Sequence, residues 1–201
     1  MRTRRAVLVP LLTFALSVVA APLRDVKGNT LVSTADPAAS FVVQGPFVYA
    51  GGQAIDVLKV AGAEQHFFVD AAPDRSIRRF VWFQFEHYYP DNAHAYDFSG
   101  MKQDPVTLGR LAFRGDVRVR AKYFTMDERP GSDSVAAADF LRTKGFRLDG
   151  TFVTLRLFHL PDDTKRRELM IIYGEIVPPG TSEERSAAGV TERARAILDV
   201  R

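Results

Sequence analysis

Apolar residues recur at every second position along most of the chain, which is the spacing of half-buried β-strands. The longest such run is Ile77 to Tyr89. In it Phe80, Trp82, Gln84, Glu86 and Tyr88 point one way, and Val81, Phe83, Phe85, His87 and Tyr89 the other. Neither side is plainly hydrophilic, so both should be at least partly covered. Further strands are expected at 41–50, 55–60, 65–71, 152–160 and 168–177, with two more inside 106–124 that break near Gly109 or Gly115. Leu169 to Tyr173 is apolar on both faces, which predicts a central strand, and Pro161-Asp162-Asp163-Thr164 predicts the hairpin leading into it. Gly51-Gly52 reads as a tight turn closing the first hairpin, and Ala95 to Phe98 as a short returning strand.

Period 3.6 takes over in two places. Val135 to Lys144 carries Val135, Ala138 and Leu141 on one face, with Ser132 or Asp133 as cap and Gly145 as stop. Thr181-Ser182-Glu183-Glu184 is a capping box opening a C-terminal helix, with Ala187, Val190, Ala194, Ile197 and Leu198 along its stripe. The expected fold is therefore α+β and mainly antiparallel. About eight strands form a strongly bent sheet or a partly closed barrel, with two helices, the last one C-terminal. A closed barrel of this size can hold one small ligand.

The start of the chain changes this picture. Arg2, Arg4 and Arg5 precede an apolar run from Ala6 to Val19, the pattern of a secretory signal peptide ending near Ala20. Pro10 and the shortness of the run argue against a membrane span, which needs roughly 20 apolar residues. Residues 1–20 are thus expected to be a signal peptide, 21–40 an irregular N-terminal arm with a short strand at Thr30 to Ser33, and 41–201 a single β-rich domain, exported to the periplasm or secreted. No later run is long enough for a transmembrane segment in the mature chain. Of 27 basic and 24 acidic residues, three basic ones lie in the leader, so the remainder is 24 against 24. Such a balance gives no support to nucleic-acid binding, which needs concentrated positive charge. The chain has no Cys, which removes disulfides, thiol catalysis and thiolate-held metal.

Chemistry concentrates in Arg78 to Phe98, which holds eight of the 22 aromatic residues (15 Phe, 6 Tyr, 1 Trp) and two of the four His. If the Trp82 side lines a hollow, Phe80 and Trp82 are apolar walls while Gln84, Glu86 and Tyr88 orient a ligand. Otherwise these aromatics are core, and Gln84 and Glu86 pair across strands, with Arg156 as the partner type. His87 and His94, with Glu86, Asp91 and Asp97, are candidates for acid–base chemistry or for a metal, though they match no established ligand spacing. Two further sets are a basic row at Arg114, Arg118, Arg120 and Lys122, and a carboxylate at Glu175 beside Tyr173. No nucleophile elbow or phosphate-cradling loop is present. The function these features favour is non-enzymatic binding of an apolar or amphipathic small molecule, without cofactor. A hydrolase or lyase using residues 86–97 comes second, and a structural or envelope-interaction role third.

Overall fold

The computed structural model describes residues 23–101, 105–121 and 129–201; the leader and the segment carrying Lys122, Tyr123 and Phe124 fall outside them. Two antiparallel sheets are formed rather than a barrel. The smaller has the order β1-β2-β3-β11, from Arg24–Lys27 (β1), Thr30–Ser33 (β2), Ala39–Val43 (β3) and Leu198–Val200 (β11). The larger has the order β4-β5-β6-β10-β9-β8-β7. Its strands are Val48–Val57 (β4), Ala61–Ala71 (β5), Ile77–Tyr88 (β6), Val106–Leu108 (β7), Leu111–Ala121 (β8), Thr151–His159 (β9) and Arg167–Ile176 (β10). Closure would require β4 to pair with β7. Instead β7 abuts β11, where Gly109 lies so close to the Val200 carbonyl that a Cβ there would stand 2.0 Å from its oxygen.

The large sheet is two meanders joined by β6 and β10, and that junction explains the doubly apolar sequence of β10. Odd-numbered residues of these two strands, including Val81, Phe83, Phe85, Leu169, Ile171 and Tyr173, bury against the small sheet through Leu31, Phe41 and Val43. Helices α2 (Glu183–Ala187) and α3 (Val190–Ile197) close the same side, α3 through Val190, Ala194 and Ile197. Even-numbered residues, including Phe80, Trp82, Met170 and Ile172, bury against α1 (Asp133–Thr143) through Ala137, Ala138 and Leu141, with Phe146 and Leu148 beyond it. Ser132 caps α1 by accepting a hydrogen bond from the Val135 amide, as the sequence predicts. The sheet is therefore covered on both faces.

Four expectations are corrected. Gly51 and Gly52 do not turn the chain; they lie inside β4, where the register with β5 shifts between Tyr49 and Gly51 and Gly51 has φ 122°. A glycine pair serves a turn and a bulge equally well, and pairing with β5 decides it. The stretch expected as an irregular arm with one short strand at Thr30 to Ser33 forms that strand as β2, and Arg24–Lys27 adds a second, β1, paired with it. The C-terminal helix, capped by Ser182 rather than Thr181, breaks at Gly189, and its last apolar residue, Leu198, belongs to β11. Residues 95–98 form no strand. Among the described residues, no helix is long and apolar enough to cross a membrane.

Candidate functional site

The Trp82 side of β6 divides into a sealed half and a polar half. Phe80 and Trp82 are 0% and 1% exposed, with Phe67 5.6 Å from the Trp82 ring and α1 above. That hydrocarbon is filled core, so the structure places these two residues where they present no open wall. The Trp82 indole N–H is buried with no partner among the described residues.

Past Trp82 the row turns polar and forms a directional chain. Gln53 Nε2 donates to Gln65 Oε1 (2.8 Å), Gln65 Nε2 to Gln84 Oε1 (2.7 Å), and Gln84 Nε2 to Glu86 Oε2 (2.6 Å). Gln53 and Gln65 also donate to the carbonyls of Ala136 and Asp133 at the start of α1, which fixes the amide orientations. Tyr96 Oη donates to the other Glu86 oxygen at 2.7 Å. Arg156, the expected partner of this row, instead grips Asp116 through Nε (2.8 Å) and Nη2 (2.7 Å), and Asp116 also takes Arg118 Nε at 2.8 Å.

Glu168 on β10 stands directly opposite Glu86 in the register. It is 6% exposed, and its carboxylate accepts no hydrogen bond among the described residues. Burial pushes its carboxyl well above the ordinary carboxylate range, and the charges of Glu86 and Asp133 push it further against the pull of Arg156. Burial also raises Glu86, opposed by the Tyr96 hydrogen bond and reinforced by Asp133.

The remaining residues of 86–97 are not gathered. Strand alternation sends Glu86 and His87 to opposite faces, and His94, Asp91 and Asp97 lie on the exposed loop after β6, where Asp97 caps the Ser99 amide. Among the described residues, no group of acids and histidines is placed to hold a metal ion. Glu175, as its neighbours suggested, is engaged locally: Tyr173 donates to it at 2.7 Å and Arg193 Nε at 2.7 Å.

The loop after β6 does build something the sequence only hinted at. Its aromatic rings stack in a ladder: Tyr88 on Tyr96 (4.4 Å between centroids), Tyr96 on Phe98 (6.1 Å) and Phe98 on Phe158 of β9 (4.7 Å). The loop is strapped to the β9–β10 hairpin by Tyr96 N–H to the Lys165 carbonyl (2.8 Å) and by Arg166, which donates to the carbonyls of His94 and Tyr89. Between the ladder and β8 runs an open groove of about 540 Å³. Phe98, Leu160 and Pro105 supply its accessible apolar surface over the buried rings of Phe158 and Phe113, and Arg114 and Lys165 its cationic rim, with His159 and Asp97 nearby. His159 Nδ1 donates to the Ala112 carbonyl (2.9 Å), which leaves Nε2 as the outward nitrogen. Arg114 and Lys165 are exposed and enter no ion pair among the described residues. A volume in this range, mostly apolar with a few convergent polar groups, is the usual form of a small-molecule site. Phe158 and Lys165 carry no signal in the sequence; they meet residues 96–99 only through the β6–β10–β9 pairing.

A second polar chain lies on the opposite face. Tyr49 Oη bonds His66 Nδ1 (2.9 Å), His66 Nε2 bonds Glu64 Oε1 (2.8 Å), and Arg24 Nη1 donates to Glu64 Oε2 (3.0 Å) while its guanidinium lies 3.9 Å from the Phe85 ring. Burial alone would raise Glu64, but the hydrogen bonds from His66 and Arg24 outweigh it and hold the carboxyl below its ordinary value. Burial and the Glu64 charge push Tyr49 up to about 12, so its phenol stays protonated beside His66. The bulge at Gly51 makes room for this contact: a Cβ on Gly52 would fall 2.8 Å from His66 Nδ1 and 2.9 Å from Tyr49 Oη. The chain joins the edge of the large sheet to the small sheet and has both imidazole nitrogens occupied.

Comparison with protein-family models, with curated proteins and with solved structures returned no match.

Proposed function

We propose that this chain is a binding protein for an amphipathic anionic small molecule, held in the groove between residues 96–99 and strands β8 and β9. The observation that carries this reading is the pairing of an apolar lining with two rim cations, Arg114 and Lys165, that form no ion pair among the described residues. Phe98, Leu160 and Pro105 offer a surface for hydrocarbon or a flat ring, and Arg114 and Lys165 stand where an acid group would neutralise them. The Glu86 carboxyl takes part by positioning: it accepts the Tyr96 hydroxyl and so fixes the ladder that forms one wall. The N-terminal leader pattern agrees with a place of action outside the cytoplasm.

Titration calorimetry with octanoate tests this reading, with octylamine as the cationic control. Octanoate should bind and octylamine should not. The Arg114→Ala/Lys165→Ala pair should weaken octanoate by roughly tenfold or more, since charge-assisted contacts contribute about 1.5–3 kcal/mol each. Absence of octanoate binding, or equal affinity in the double variant, removes the proposal.

One observation favours a second reading, catalysis. Among the described residues the Glu86 carboxylate has two donors and the facing Glu168 carboxylate none, an asymmetry of the kind that separates an ionised carboxylate from a proton donor. Hydrolysis of chromogenic esters or glycosides, lost in Glu168→Gln, would support it; a panel without turnover in the wild type removes it.

A further inference from the structure

Two ion pairs cross from the small sheet to the large one and frame a pocket. Arg24, at the start of β1, donates to Glu64 of β5 at 3.0 Å. Arg167, at the start of β10, donates to Asp36 in the connection from β2 to β3 at 2.8 Å. All four residues line one pocket of about 340 Å³, at the small end of the range for small-molecule sites. It shares no lining residue with the groove beside residues 96–99. Leu23, half exposed, adds an apolar patch to its wall. One polar group in that wall is unaccounted for. Arg24 is only 8% exposed; its Nη2 donates to the Ala35 carbonyl at 3.0 Å, and its guanidinium lies 3.9 Å from the Phe85 ring. Its Nε, however, is buried with no partner among the described residues. A buried N–H on a cation that lacks an acceptor is costly, and such a group calls for an oxygen to meet it.

We infer that this pocket binds a neutral polyol of monosaccharide size, one of whose oxygens accepts from Arg24 Nε. Charge decides against an anion in that role. Four acidic residues, Asp36, Glu64, Glu86 and Glu168, border the pocket against the two arginines, so a negative group would enter against like charge. A cation without an oxygen would leave the Arg24 N–H as it stands. A hydroxyl accepts and donates through a single atom, so a polyol meets the arginine N–H and the oxygens of Asp36 together. The C–H face of a sugar ring suits the apolar patch at Leu23. Because the two ion pairs already fix Arg24 and Arg167, little side-chain freedom remains to be lost on binding. This inference does not depend on the groove, which calls for a ligand of a different charge.

Titration of the ¹⁵N-labelled protein with glucose, galactose and N-acetylglucosamine tests it, with acetate as the anionic control. At least one sugar should shift the amides of residues 23–24, 36, 64, 85–87 and 167 at millimolar concentration, and acetate should leave them unmoved. Arg24→Lys keeps a charge to pair with Glu64 but has no Nε–H at that point, so it should weaken the sugar roughly tenfold, the loss of one charge-assisted hydrogen bond. Arg167→Ala changes a half-exposed side chain, so it keeps the test open should Arg24→Lys fail to fold; it should weaken the sugar roughly threefold or more. Absence of shifts with all three sugars, acetate shifting the same amides, or unchanged affinity in the folded variants overturns the proposal.

Discussion

Gly174→Ala is expected to cost about 3 kcal/mol, at the upper end of what overpacking a core normally costs. Gly174 lies in β10, held between β6 and β9, opposite Phe80 on one side and Thr154 on the other. The Phe80 ring fills the space that a side chain at 174 would occupy: an added Cβ would stand 2.2 Å from Cε1 and 2.4 Å from Cζ. The ring has nowhere to retreat. It is fully buried and packs edge-on against Phe152 at 5.6 Å. Urea unfolding should show the loss, and adding Phe80→Leu to Gly174→Ala should recover part of it, because the smaller side chain vacates the contested volume. A cost below about 0.5 kcal/mol, the range of an innocuous surface change, would mean that the ring is not locked against β10.

Glu168→Gln should have the opposite sign and a strong pH dependence. The folded carboxyl is raised by burial and by the charges of Glu86 and Asp133, so between the unfolded and folded pKa values the folded state binds the extra proton. Stability from this group is then complete below the unfolded value and is lost as pH rises through the folded one. At pH 7.5 the wild type either buries a charge that has no donor among the described residues or pays to stay protonated. A neutral amide avoids both and can donate to Glu86 across the strand pair. The gain should be about 1–3 kcal/mol, the scale of an unsatisfied buried polar group, and should vanish below about pH 4, where both forms are neutral. Melts of the two proteins at both pH values decide it. Destabilisation at pH 7.5 would show that Glu168 is ionised and satisfied by a bound cationic donor.

Local chemistry made much of this fold legible. Alternation located β6, the Ser132 cap and Gly145 bracketed α1, and the doubly apolar Leu169–Tyr173 marked the strand buried on both faces. What failed was whatever depends on pairing between distant segments. The small sheet joins Phe41 to Val200, and nothing near either residue signals the other. Gly51-Gly52 suits a turn until β5 is seen to pair through it. Arg156 is the right residue type for Gln84 and Glu86, but register puts it in the Trp82–Ile172 row, beside Asp116 on β8. The candidate site followed the same division. The aromatic stretch announced that residues 78–98 matter, and its polar half does hold Glu86 and Tyr96 together. The groove depends on Phe158 of β9, Arg114 of β8 and Lys165 of the β9–β10 turn, so only their arrangement in space discloses it.

The most direct measurement is a ¹H–¹⁵N correlation spectrum of the labelled protein titrated with octanoate. The account predicts progressive shifts confined to residues 96–99, 112–114, 158–160 and Lys165, with the amides around Trp82 unmoved. A spectrum that does not change, or shifts centred on β4 or on the Tyr49–His66 chain, would contradict it.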